Sequence, residues 1–233
     1  MPGKAGDPGR TGSDNRLFVN GVLWVLRSGA RWCDVPERYG KDKTLHKRFT
    51  RWAKAGVWEE VFVSLIKDAD NQYLMLDSTL VRAHQQAATG KGGDQNQALG
   101  RSRGGLTTKI HMLADSLGRP LRFILTPGQA GEVLSAPALL DGFRAKAVLA
   151  DKVYDSNAFR QIVAATGAEA VIPSNRTRKL LIPHDPIIYR MRNRIEQCFN
   201  KLKHFRRFAI RYDRKAINFL SFIQIAAAMI WMR

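Results

Sequence analysis

The run LMLDST, residues 74–79, marks a change in the period of the apolar residues. Before it they recur at three- and four-residue intervals, as on one face of a helix. Here three in succession meet an acid, as in a short buried strand. Further strand-like runs follow at 109–114 (KIHMLA), 121–125 (LRFIL), 147–150 (AVLA) and 168–172 (AEAVI). Helices are predicted near 132–144 and 156–166, between the later runs. Strands first and strand–helix alternation afterwards predict a mixed α/β sheet flanked by helices. Asp77 and Asp151 each close an apolar run, LML-Asp and AVLA-Asp, and acids at strand ends converge at the carboxyl edge of an open sheet. Either alone reads first as a turn residue, as Asp115 and Asp141 do.

Working outward to the N-terminus, Phe18, Val22, Val25 and Leu26 form a helical stripe behind a cap at Ser13 or Asp14, and Gly29 supplies a stop. After the turn-like WCDVPERYG, Thr44 is the expected cap of a second helix, 44–55. In it Leu45, Phe49 and Trp52 face inward and Lys47, Arg48, Arg51 and Lys54 outward. Residues 57–70 also read as helical. Residues 1–70 thus suit a small helix-turn-helix-like DNA-binding module; a plain helical bundle with a solvated basic face fits the same pattern. Residues 71–233 form the second expected unit.

The 233 residues carry 38 Lys and Arg against 20 Asp and Glu, a net charge of +18. Residues 1–70 and 71–150 each carry a net +4 and residues 151–233 a net +10. Such an uneven excess points to a polyanionic partner, nucleic acid first. Cys33 and Cys198 are too far apart in sequence to suggest a zinc motif and suit a reducing cytosol. The Gly- and charge-rich start has no apolar core of a signal peptide. Residues 216–232 fall short of the ~20 apolar residues of a membrane span and read as a buried terminal helix. The stretch 83–108, AHQQAATGKGGDQNQALGRSRGGLTT, reads as a long polar loop. It either grips DNA phosphates through Lys91, Arg101 and Arg103 or is a plain surface loop.

Tyr189 to about Phe208 is the longest predicted helix. Ten basic residues lie among residues 189–215, with Glu196 and Asp213 the only acids. At about 100° per residue Tyr189, Arg192, Glu196 and Lys203 share a stripe roughly 60° wide. By itself the Arg192–Glu196 spacing suits an ordinary i,i+4 ion pair.

Taken as a string, 189–203 reads Tyr-x2-Arg-x3-Glu-x6-Lys, which resembles the signature around the third acid of the DDE transposases of bacterial insertion sequences, insertion sequence family five. The resemblance continues in order through DNRLFVNGVLWVLRSGARWCDVPERYG, LMLDST, LGRSRGGLTTKIH, ADKVYDS, VIPSNR and RNRIEQCFNKLKHFRRFAIRYD. It implies a ribonuclease H-like catalytic domain over 71–233, with Asp77, Asp151 and Glu196 as catalytic metal ligands. Tyr189, Arg192 and Lys203 match its remaining members and would position DNA. Arg206, Arg207, Lys47, Arg48, Arg51, Arg101 and Arg103 complete the expected DNA contacts.

Carboxylate oxygens suit Mg²⁺ or Mn²⁺, and two ions ~3.5–4 Å apart serve in-line attack on a phosphodiester. The expected activity is strand cleavage at insertion-sequence ends, then strand transfer into target DNA. The expected partners are double-stranded DNA, as terminal inverted repeats and target, and a second protomer in a homodimer; no membrane is involved, and the location is cytoplasmic, at the nucleoid. Relatives generally begin with a further helical segment, so the N-terminal module is expected to be abbreviated; Val153 and Arg31 replace a small residue and a Pro. A non-catalytic end-binding remnant or repressor, or a nuclease without strand transfer, would share the charge and the helices. The complete set of three acids favours the enzyme over the remnant.

Overall fold

A computed structural model describes residues 14–89 and 97–233. Three helices come first: α1 (Asn15–Ser28), α2 (Asp42–Lys54) and α3 (Val57–Leu65). Asp14 caps α1 by accepting the Arg16 N–H at 2.8 Å, and Gly29 ends it in the left-handed conformation at φ 71°. Ser13, the other expected cap, lies outside the described residues. The second helix starts two residues earlier than expected. Thr44 caps nothing there, because its own N–H already bonds the Lys41 carbonyl inside the first turn.

The sheet is built from β1 (Tyr73–Ala83), β2 (Gly100–Ser102), β3 (Gly105–Ala114), β4 (Pro120–Pro127), β5 (Ala147–Leu149), β6 (Glu169–Val171) and β7 (Ile210–Arg211). Short α4 (Ala136–Leu140) and α5 (Asn157–Ala165) accompany β5 and β6, and α6 (Pro186–Arg190), α7 (Asn193–Lys203), α8 (Arg206–Ala209) and α9 (Ala216–Trp231) follow. Through the centre the order is β4-β3-β1-β5-β6, with β3 antiparallel to β1 and to β4, and β5 and β6 parallel to β1. This is the expected mixed sheet with helices on both faces.

Three sequence expectations are corrected. Asp77 does not end its strand: β1 runs six residues further, because β3 pairs with it as far as Arg82 and β7 takes up Arg82 and Ala83. Only the parallel partner β5 stops early, at the level of Met75. The stretch 83–108 is not structureless: Gln85–Thr89 is a 3-10 turn and β2 folds back on β3, while Ala98 and Leu99 are buried. The helix expected from Tyr189 to Phe208 is three helices. Around Met191 and Arg192 the backbone tightens to i→i+3 bonds, and Phe205 turns extended before α8.

Alternation along β1 sends Met75 to one face of the sheet and Leu74 and Leu76 to the other. The first face packs with Ile110, Met112 and Leu149 against α7, α9 and the N-terminal helices; the second packs with Leu113 and Val148 against α4 and α5. The N-terminal helices do not keep a core of their own. Phe49 of α2 stacks on Phe222 of α9 at 4.5 Å, and Phe18, Trp52 and Trp58 join the same cluster. No helix among the described residues is long and apolar enough to cross a membrane.

The β3–β4 turn braces α7. Gly118 has φ +78°, and a Cβ there would stand 2.7 Å from the Arg194 carbonyl oxygen, while Arg194 Nη1 donates to the Ser116 carbonyl. Gly118→Ala combines left-handed strain of ~1–2 kcal/mol with a forced shift of backbone. A loss of about 2–4 kcal/mol is expected in urea unfolding. A change below about 0.5 kcal/mol would show that the turn does not hold α7.

Candidate active site

The register fixes where two of the acids stand. Met75 of β1 lies beside Leu149, the last residue of β5, in a parallel pair; Asp77 follows two residues later within β1, and Asp151 two residues later beyond the end of β5. Asp77 is thus on the same face of β1 as Met75, and Asp151 stands just past the end of the neighbouring strand. That face is covered by α7. The Asp151 side chain accepts the Lys152 N–H at 2.5 Å and caps a single 3-10 turn, Lys152–Tyr154. Asp77 accepts the Ser78 N–H at 2.8 Å.

Ile195, Cys198, Phe199 and Leu202 anchor α7 to the sheet, which leaves Glu196 exposed at its rim. Arg192, just ahead of α7, links this helix to the strand. Its Nη1 donates to Asp77 Oδ2 at 3.3 Å, and its Nη2 forms an ion pair with Glu196 Oε1 at 2.9 Å. Tyr189 packs near the guanidinium, 6.0 Å from ring centre to cation. The expected continuous stripe is broken between Tyr189 and Glu196, yet Arg192 still gathers both.

Burial pushes the Asp77 carboxyl up to about 6 although Arg192 and the Ser78 N–H pull it down, and Glu196 and Glu132 add like-charge repulsion. Burial also opposes the Arg192 charge, but Tyr189, Asp77 and Glu196 together raise its pKa. Among the described residues no three acid, His or Cys side chains already converge on one point. What the cluster holds is a cation, the Arg192 guanidinium, between two carboxylates. A donor set of carboxylate oxygens that draws positive charge fits a hard divalent ion.

A family model described as "Transposase DDE domain" matches residues 69–231. The chain belongs to the DDE transposase family. Members of the family cut and join DNA strands, generally with divalent metal ions, so this transposase acts on DNA as an enzyme of strand cleavage and transfer. A second model, of transposases of the IS4/5 family, matches residues 1–62. A Brucella ovis protein named as transposase for insertion sequence element IS6501 is 40% identical over 130 residues, 55% of this chain and 100% of that protein. The uncharacterized protein y4sN of Sinorhizobium fredii is 45% identical over 103 residues, 42% of this chain and 81% of its own length. The catalytic domain of Mos1 mariner transposase covers 80% of this chain and 91% of its own, at 12% identity and a TM-score of 0.30.

The remaining expected contacts fall into two groups. Lys47, Arg51, Arg101, Arg103, Lys203 and Arg206 are exposed, the two of 101–103 at the tip of the β2–β3 hairpin. Arg48 and Arg207 are held. The Arg48 guanidinium lies over the Phe18 and Trp52 rings and donates to Asn15, and Arg207 is only 4% exposed. Lys91 lies outside the described residues.

Two groups in this transposase have no sequence signal that singles them out. Glu132, which raises Asp77, is paired to Lys109 at 3.4 Å, and Lys109 also donates to the Ala130 carbonyl at 2.7 Å. Asp155, four residues after Asp151, has no exposed side-chain surface. It accepts from Arg160 Nε at 2.7 Å, from Arg178 Nε and Nη2 at 2.9 Å each, and from the Asn175 N–H at 2.7 Å. It ties the turn after Asp151 to the loop beyond β6. The adjacent ADKVYDS and VIPSNR blocks are its only trace in the sequence, and only their pairing in space gives it meaning.

Proposed function

We propose that Asp77, Asp151 and Glu196 are the catalytic carboxylates of a transposase that frees a 3′-hydroxyl at an insertion-sequence end and joins it to target DNA. The observation that supports this most is the Arg192 guanidinium, which bonds Asp77 of β1 and pairs with Glu196 of α7, while Asp151 stands just past the end of the neighbouring β5. The three acids would hold Mg²⁺ or Mn²⁺, two ions per site, which when bound polarise the phosphodiester and favour ionisation of the attacking hydroxyl. The chain's own groups do the rest. Arg192 neutralises Asp77 and Glu196 until the site is loaded, then turns to a DNA phosphate, with Tyr189 steadying its plane. The buried strand pair excludes water from one side of the reacting phosphate.

Exposed Lys47, Arg51, Arg101, Arg103, Lys203 and Arg206 would follow the DNA backbone, giving affinity that falls steeply with salt. Arg48 and Arg207 would act through the side chains they hold. Residues 1–70 would serve as the end-binding module and 71–233 as the catalytic domain. Joining two ends in one complex calls for a homodimer on DNA, at the nucleoid in the cytoplasm.

Labelled duplex carrying the native element ends, incubated with Mg²⁺ or Mn²⁺, tests the assignment. Wild type is expected to nick at the end, and Asp151→Asn to bind equally well but cut at least ~10³-fold more slowly, the scale on which essential catalytic groups act. If both proteins bind the ends and neither cuts, the catalytic reading fails and the end-binding remnant stands.

A further inference from the structure

Between β6 and α6 the chain makes a loop that stands outside the cluster of acids. Ser174 and Ile182 pinch its neck: the Ile182 N–H donates to Ser174 Oγ at 2.8 Å, and that hydroxyl donates to the Ile182 carbonyl at 3.1 Å. Residues 175–181 project beyond the neck. Asp155 braces one limb by accepting the Asn175 N–H and two bonds from Arg178, whose Nη1 also donates to Asn157 Oδ1 at 2.7 Å. His184 secures the other limb, edge-on against Tyr189 with 5.3 Å between ring centres.

Both fastenings lead to the acids. Asp155 follows Asp151 by four residues, a reach of about 14 Å at most. Tyr189 packs near the Arg192 guanidinium, which bonds Asp77 and pairs with Glu196.

What the loop holds out is apolar. Leu180 and Leu181 are 81% and 72% exposed, and Leu180 is the most exposed large hydrophobic side chain among the described residues. One exposed leucine on a surface is ordinary. Two in succession, on a loop bonded at neck and flank, are held away from the cover that folding back would give them. Their neighbours select what they meet. Residues 170–184 contain Arg176, Arg178 and Lys179 and no acid. Arg178 is committed to Asp155, while Arg176 and Lys179 are exposed on either side of it. A second copy of this chain, itself at net +18, would bring like charge to the same place. Duplex DNA offers phosphates at its edges and an apolar stack of bases between them, and leucine is among the side chains that enter a base step and part it.

We propose that Leu180 and Leu181 form a wedge that enters the DNA base stack beside the scissile phosphate, with Arg176 and Lys179 on the flanking phosphates. Parting the stack has an unstacking cost, and it lets the strand to be cut leave the duplex axis and approach the acids. The inference rests on the DNA-acting reading, and on the assignment of the three acids only for which base step is entered.

The probe is a duplex carrying a native element end, with 2-aminopurine, a base that brightens when it unstacks, placed in turn at each position around that end. Fluorescence is read on saturated complexes in EDTA, so failure of the catalytic assignment leaves this readout untouched. Wild type is expected to brighten one or two adjacent positions by about threefold or more. Leu180→Ala/Leu181→Ala should bind the duplex within about twofold of wild type and lose that rise. Leu180→Met/Leu181→Met, which keeps the apolar bulk, should retain it. With Mg²⁺ the alanine variant should cut the paired end at least roughly tenfold more slowly, and recover on an end mismatched at the brightened positions. Cutting by none of the proteins, with the fluorescence pattern as stated, sinks the acids and supports the wedge. No brightening at any position in bound wild type overturns the proposal, as does a rise that survives in the alanine variant. A change of the alanine variant from dimer to monomer also overturns it, since the two leucines would then be a subunit contact.

Discussion

Asp77→Asn is expected to abolish strand cleavage, by about 10³-fold or more, and at the same time to make the metal-free protein more stable. The two effects have one origin. Burial raises the Asp77 carboxyl from 3.8 to about 6, so near neutral pH the folded protein carries a charge its surroundings disfavour. The sign follows from proton counting. Between pH 4 and 6 the folded state binds the proton that the unfolded chain has released, so this group's contribution to stability declines as pH rises through that window. An amide carries no such charge, and it leaves Arg192 its Glu196 partner. At 1.36 kcal/mol per pK unit, and allowing for the weakened Arg192 contact, the gain is on the order of 2 kcal/mol at pH 7.5. For a chain of this size that is roughly 4–8 °C in Tm. The decisive measurement is the difference in Tm between variant and wild type at pH 4 and at pH 7.5, in EDTA. It should be near zero at the lower pH and several degrees at the higher. A difference independent of pH would mean that Asp77 is not held ionised against its surroundings.

Asp155→Ala is expected to have the opposite character: a loss of about 3–5 kcal/mol, with activity falling because the turn that carries Asp151 loosens. The removed carboxylate leaves Arg160 and Arg178, 10% and 16% exposed, as uncompensated charges. Burial alone would raise the Asp155 carboxyl, but its bonds from Arg178, the Asn175 N–H and Arg160 outweigh this and hold it at about 2. A depressed carboxylate contributes stability that is full above 3.8 and fades as pH falls through about 2. Urea midpoints should therefore separate wild type from variant widely at pH 7 and much less at pH 2.5. Asp155→Asn, which keeps one acceptor oxygen, should fall between them. Equal midpoints for all three proteins at pH 7 would leave the cluster without a stabilising role.

These residues also show what a sequence can reveal. LMLDST and AVLAD read as strands with acids behind them because short apolar runs have few other uses. That Asp77 sits mid-strand depends on how far β3 and β7 accompany β1, which is a matter of pairing with residues thirty and more than a hundred positions away. The Arg192–Glu196 spacing is local and was legible; the reach of Arg192 to Asp77 spans 115 positions and was not. The break between Tyr189 and Glu196 escaped the periodicity because i→i+3 and i→i+4 turns present nearly the same face over so few residues. Asp155 and Glu132 are invisible in one dimension for a common reason: each is defined by partners from other elements.

The shared core of α2 and α9 has a mechanical consequence. With Phe49 stacked on Phe222 and Asn218 bonded to Thr50, the N-terminal helices are joined to the sheet by packed side chains rather than by a tether. DNA gripped by those helices, as proposed, would thus be held at a fixed span from the carboxylates, and the protein would work as a ruler. One base pair inserted between the gripped sequence and the scissile bond would shift the target by ~3.4 Å, a displacement that a jointed enzyme could absorb and this one is expected to refuse.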